Sequence, residues 1–288
     1  MEALRASYGC SSDSDTDDSP SPESPPAKEA EKVDPLPPPP LSLISPPNSL
    51  AGMFDQSTTT GQPSRVRSFP HVEGNYALHV YIPANIIAPQ RPQIALLLKR
   101  VASLVPDLFV VDADVPLGAL CKDEWKLQQV ALGQEFHISL GRTVPIRVHQ
   151  IDSVVTMLRQ KLQSHKRFWI DFSKWEVFVN DDSTRTFLSL EVTKRGLSEI
   201  MKQIKLVNEV YRLHDLPEFY KDPRPHISLV WASGDISESL KKVVVNEEIN
   251  GSMSVRGLPE KCFLTSKFSG IECKIGKKSY KICKLPDK

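Results

Sequence analysis

The sequence predicts an α+β fold built as two similar lobes, and three observations carry that expectation. Short apolar runs alternate with polar residues along most of the chain, at the period of a β-strand. Two longer stretches, 150–163 and 197–212, place their apolar residues at helical spacing instead. The order strand, helix, strands then occurs twice, as though two lobes shared one plan.

The first 64 residues predict no fold. They hold 3 basic against 10 acidic residues and 12 of the chain's 24 prolines. Such a segment buries too little apolar surface to offset its ordering entropy, so residues 1–64 are expected to be a disordered acidic tail. Pro37–Pro40 suits polyproline II. Ser11, Ser12 and Ser14 lie among aspartates and are candidate sites for an acidic-directed kinase. The remaining 65–288 carries 33 basic against 25 acidic residues. The net charge of +1 therefore conceals a tail at −7 and a body at +8. That body is long enough to bury a core.

Within the body, Ala77–Ile82 alternates as a strand, and Gln93–Leu104 reads as a helix with Pro92 in its first turn. Leu108–Val111 and Phe136–Leu140 are strands. Gln150–Gln163 is the clearest helix, with Ile151, Val154, Val155, Leu158 and Leu162 on one face. Strands are expected at Phe168–Phe172, Glu176–Val179 and Thr186–Val192. A second long helix, Leu197–Arg212, buries Ile200, Ile204, Val207 and Tyr211. Pro225–Trp231 is a strand and Ser237–Lys242 a short helix. Short strands near Cys262–Leu264, Cys273–Ile275 and Tyr280–Cys283 complete the pattern.

Several classes are excluded. No apolar run approaches the ~18–20 residues that cross a bilayer, and no apolar leader marks a secretory signal. The 5 cysteines form no C-x-x-C pair, which argues against a disulfide framework or a zinc cage. There is no His-Glu-x-x-His and no carboxylate cluster, so neither a metal nor a cofactor is expected.

One motif carries chemistry. His137-Ile138-Ser139-Leu140 and His226-Ile227-Ser228-Leu229 are the same tetrapeptide, 89 residues apart. On a strand, residues i and i+2 share a face. His137 and Ser139 then face one way while Ile138 and Leu140 face the core, and His226 and Ser228 do the same above Ile227 and Leu229. Side by side, such strands would place two imidazoles and two hydroxyls around one cleft. Histidine titrates near neutrality, so one ring can accept a proton while the other donates one. Hydroxyls can hold a tetrahedral anion, and the set suits metal-free phosphoryl transfer. Read singly, each histidine is a structural strand residue; the matched pair favours the chemical reading.

The paired tetrapeptides resemble the motif of the 2H phosphoesterase superfamily. Further stretches resemble, within it, the U6 small nuclear RNA phosphodiesterase family: Arg65–His71, Gly74–Tyr81, Thr184–Phe187 with Leu190–Val192, and Phe219–Pro223. The resemblance covers about 65–285. It departs at 107–134, which is longer than the family usually carries and reads as a surface insertion.

The resemblance implies a two-lobed, pseudo-symmetric 2H phosphoesterase fold, antiparallel sheets lining a central groove with helices on the flanks. It implies a 3′→5′ exoribonuclease that trims uridines and some adenosines from the 3′ end of U6 small nuclear RNA, leaving a terminal phosphate that is usually 2′,3′-cyclic. His137 and His226 would be catalytic, with His226 as base and His137 as acid, although these roles exchange freely at the level of sequence. Ser139 and Ser228 would hold the phosphate oxygens. The family comparison also makes Tyr220 a base-stacking residue; from the sequence, a core or loop tyrosine is as good a reading. The expected partner is single-stranded RNA with an oligouridine 3′ end, with no membrane, in a nuclear monomer. Two alternatives stay open: a cyclic- or 2′,5′-phosphodiesterase acting on small nucleotides, and a non-catalytic RNA-binding protein of the splicing machinery.

The other histidines have blander explanations. His79 lies in a strand and His214 at a helix end, where the dipole accounts for it. Trp169, Trp175 and Trp231 read as core or edge aromatics. The stretch 261–288 has 8 lysines and 2 acids, and either steers RNA or discourages edge pairing.

Overall fold

Asn75–Asn85 (β1) buries Leu78, Val80, Ile82 and Ala84 and anchors the first of two sheets. The computed structural model describes residues 72–163, 166–251 and 262–285. The tail with Ser11, Ser12 and Ser14, the Arg65–His71 stretch and His165 lie outside the described residues.

The C-terminal half of β1 pairs antiparallel with β3 (Glu135–Ser139), and its N-terminal half with β4 (Val144–Arg147). Its other edge takes β9 (Gly270–Ile275), which pairs in turn with β10 (Lys278–Lys284). The second sheet has the order β2 (Phe109–Val110), β7 (His226–Ser233), β6 (Arg185–Val192), β5 (Trp169–Val179), β8 (Leu264–Lys267). All of these pairings are antiparallel. Two strands expected from the sequence, 168–172 and 176–179, are one strand with a register shift between Phe172 and Lys174. That irregularity breaks the alternation on which the sequence reading relied.

The helices cover the two sheets. On α4 (Ile151–Leu162), Val154, Val155, Leu158 and Leu162 are buried, as the periodicity predicts. This helix packs on β9 and β10 and against α5 (Leu197–Leu213). Helix α6 (Ser237–Gly251) runs well past the short helix expected; it packs on β5 and against α1 (Arg91–Leu104). Gly196, at the start of α5, has φ +89°, and a side chain there would lie 2.8 Å from the Trp169 carbonyl oxygen. Glycine is what this close left-handed turn requires.

The segment 107–134 contributes more than surface. It contains β2, α2 (Leu117–Leu120) and α3 (Glu124–Val130), and it buries Val110, Leu117, Leu120 and Leu127. Asp123 caps α3 by accepting from the Lys126 backbone N–H at 3.0 Å. The apolar residues of this stretch are too interrupted for their burial to be read from periodicity.

Candidate active site

Both motif strands alternate as their spacing predicts. Phe136 and Ile138 on β3, and Ile227 and Leu229 on β7, are buried. His137, Ser139, His226 and Ser228 occupy the opposite, half-exposed face. β3 pairs with β1 on one side only and lies beside β7 across the two sheets. The four side chains consequently line one cleft of about 650 Å³, together with His79, Arg142, Phe178 and Tyr220.

His226 is held from two directions. Its Nδ1–H donates to the Arg224 carbonyl at 2.7 Å, which leaves Nε2 as the free nitrogen. Phe178 stacks on the ring at 3.9 Å between centroids and 15° between planes. Arg224 is itself locked. Its Nε and Nη2 fork onto the two Glu191 oxygens at 2.7 Å each, and Nη2 also reaches Glu176. Although burial pushes the Glu176 carboxyl upward, hydrogen bonds from Lys174 and Arg224 hold it down at about 2. Burial also lowers the His226 pKa, against the opposing pull of the Arg224 carbonyl and Glu191.

His137 has different neighbours. Its Nδ1 lies 3.9 Å from the Asp112 carboxylate. Its ring meets His79 edge-on at 4.9 Å and Tyr81 at 5.8 Å. Burial lowers its pKa, Asp112 raises it and Lys274 lowers it.

Each motif serine is backed by another group. The Ser139 hydroxyl bonds His79 Nε2 at 3.0 Å, and the Ser228 hydroxyl bonds the Ser189 hydroxyl at 3.0 Å. Burial, with help from His137 and Lys274, depresses His79 to about 3, so it stays neutral. When His79 or Ser189 donates to the serine oxygen, the serine's own hydrogen is free to point into the cleft.

His79 and Ser189 are the residues that sequence reasoning missed. The signal was strand pairing: Ser189 opposes Ser228 directly, and His79 meets Ser139 diagonally, two residues along β1 from Tyr81, which opposes it. Alternation identifies a face, but only register says which residue across the ladder meets it.

Tyr220 stands at the cleft and is 43% exposed. The Arg142 guanidinium lies 4.1 Å from its ring centroid and pairs with Asp181 at 3.0 Å. Burial raises the Tyr220 phenol, and Asp181 raises it further. The remaining candidates fall elsewhere. His214 caps α5, with Nδ1 bonded to the Val210 carbonyl and Nε2 to the Ser153 hydroxyl. Trp175 and Trp231 are buried, and Trp169 is exposed under Arg195. Among the described residues, no group of three or more His, Cys, Asp or Glu could hold a metal ion. No described helix is long and apolar enough to cross a membrane.

Two H-x-S strands lying side by side, each setting an imidazole and a hydroxyl at a shared cleft, give the arrangement expected of a two-histidine phosphoesterase fold. Comparison with known proteins narrows the class. The family described as "HVSL: Uncharacterised conserved protein" matches residues 37–283. "U6 snRNA phosphodiesterase 1" of Mus musculus is 30% identical over 253 residues, 85% of this chain and 81% of its own. The Danio rerio protein of that name is 33% identical over 209 residues, 70% of this chain and 67% of its own. In fold, the chain matches the structure of Kluyveromyces marxianus Usb1 with a TM-score of 0.50 at 15% identity, over 73% of this chain and 98% of that one. The chain belongs to the HVSL family, that of the U6 snRNA phosphodiesterases.

Proposed function

We propose that this protein is a 3′→5′ exoribonuclease that trims the oligouridine 3′ end of U6 small nuclear RNA in the nucleus. The observation that carries this reading is the single cleft lined by His137, Ser139, His226 and Ser228, with Tyr220 beside it. The name shared by the relatives supports the substrate.

RNA brings its own nucleophile, the 2′-OH next to the scissile phosphate. Nε2 of His226 takes the proton from the 2′-OH of the penultimate nucleotide as that oxygen attacks phosphorus. The P–O5′ bond breaks, and His137 gives its proton to the departing 5′ oxygen. The last nucleoside leaves with a 5′-OH, and the shortened RNA ends in a 2′,3′-cyclic phosphate. Ser139 and Ser228 donate to the non-bridging oxygens, whose charge grows in the transition state. Tyr220 stacks on a base of the single strand. The domain is taken as 65–288, acting as a monomer behind an acidic tail, 1–64.

A 3′-end cleavage assay on an oligouridine-tailed RNA, with product ends identified by mass spectrometry, tests the reading. Wild-type protein shortens the tail one nucleotide at a time, in EDTA as in its absence. A 2′-deoxy penultimate nucleotide blocks the reaction, and so does His137→Ala or His226→Ala in a folded protein. Normal cutting of the deoxy substrate would mean attack by water.

A further inference from the structure

We propose that Asp112 is a positioning residue for His137: a turn of the 107–134 segment carries its carboxylate to the cleft, where it faces Nδ1 and orients the imidazole to protonate the departing oxygen. This rests on the reading of His137 as the acid.

The turn is built for the task. Asp112 has φ +62° and Asp114 φ +51°, a left-handed region that non-glycine residues rarely adopt. The Ala113 N–H donates to Val111 O at 2.8 Å, and the Asp114 N–H to Val110 O at 2.9 Å. Gln134 Nε2 ties the turn to β3's approach by donating to Val111 O at 2.9 Å. The Val111 N–H reaches Leu229 O at 3.1 Å, and Trp231 Nε1–H reaches Asp114 at 3.2 Å. Both of those partners sit on β7, the strand of the second motif. The carboxylate beside the first histidine is thereby fixed in place by the strand of the second.

The charges around His137 give Asp112 its leverage. From β1 it meets His79, which stays neutral, and Tyr81, whose phenol burial pushes up to about 12. From β9 comes the opposing charge of Lys274, and from β7 a charged His226 would repel it. Glu135 and Glu272 act on Tyr81, and Arg142 lines the cleft. Among the described residues, Asp112 places a carboxylate in ion-pair range of the ring. At 3.9 Å the contact is electrostatic rather than a hydrogen bond. A carboxylate facing Nδ1 favours the protonated ring and leaves Nε2–H for the substrate.

The test is a histidine-ring NMR titration of the free protein, read together with the pH profile of kcat/KM. In Asp112→Asn, which keeps the shape and loses the charge, His137 titrates about one pH unit lower while His226 is unmoved. The alkaline limb of the profile moves down by the same amount, so cleavage above that limb falls about tenfold. Asp112→Glu restores part of both shifts. A purely structural role would lower the amount of active protein without moving the limb. Unchanged His137 titration and an unchanged limb in Asp112→Asn would overturn the proposal. Activity in His137→Ala would instead overturn the reading of the acid on which it rests.

Discussion

An imidazole has two nitrogens, and its neighbours decide which one works. His226 spends Nδ1–H on the Arg224 carbonyl and presents Nε2, whereas His137 sets Nδ1 against Asp112. The serines divide their bonds in the same way. Ser189→Ala removes the group behind Ser228 but leaves the Ser228 hydroxyl, whereas Ser228→Ala removes the hydroxyl proposed to hold the phosphate. Steady-state kinetics should show a loss of about 10²–10³ in kcat for Ser228→Ala. Ser189→Ala should lose less, and a larger loss there would mean that Ser189 is the true donor. Tyr220→Ala should weaken binding of an uncleavable oligouridine by about 1–3 kcal/mol, measured by titration, while folding is retained. Of these residues, the four motif positions were legible from a repeated tetrapeptide. Tyr220 came only through resemblance, because a lone tyrosine in a loop carries no pattern.

At the scale of elements, the cleft depends on how closely α5 approaches the loop after β3. Tyr211 is fully buried on α5 and donates its hydroxyl to the Arg142 carbonyl at 3.1 Å. A side chain at Gly141 would come within 2.9 Å of that ring. Gly141→Ala therefore forces either the ring or the loop to move. A destabilisation of about 1–3 kcal/mol should appear in denaturant unfolding. Cleavage by the folded fraction should fall as well, because Arg142 adjoins the displaced residue and Ser139 lies two positions before it. The helices themselves were readable, since a 3.6-residue period survives wherever one face is buried, as in α4 and α5. The 107–134 segment was not. Its elements are too short to show a period: β2 pairs with β7, more than a hundred residues later, while α2 and α3 pack against α1.

At the scale of the whole molecule, buried histidines make the fold sensitive to acid. His79 is held neutral down to about 3 in the folded protein, against 6.5 for an ordinary histidine. Between those values the unfolded chain binds a proton that the fold refuses. Stability is therefore full above about pH 6.5 and falls as the pH drops below it. The loss from His79 alone is on the order of 1–2 kcal/mol at pH 5. His137 and His226, whose pKa values are also lowered, add to it in the same direction. Thermal unfolding should show wild-type protein melting lower at pH 5 than at pH 7.5, and His79→Asn should narrow that difference. A pH dependence that is identical in the two proteins would mean His79 is charged in the fold.

Local pattern alone, read in the sequence, determined the α+β composition, the two long helices, and the inward and outward faces of the motif strands with their two histidines and two serines. Those properties depend on residues within a few positions of one another, where period and composition act directly. Only the tertiary structure decided that β3 and β7 lie beside each other. It likewise placed His79 and Ser189 behind the serines, Arg224 and Phe178 around one histidine, and Asp112 against the other. Each of those contacts joins residues far apart in the chain, and their meeting depends on strand register and sheet packing, which no short stretch of sequence encodes.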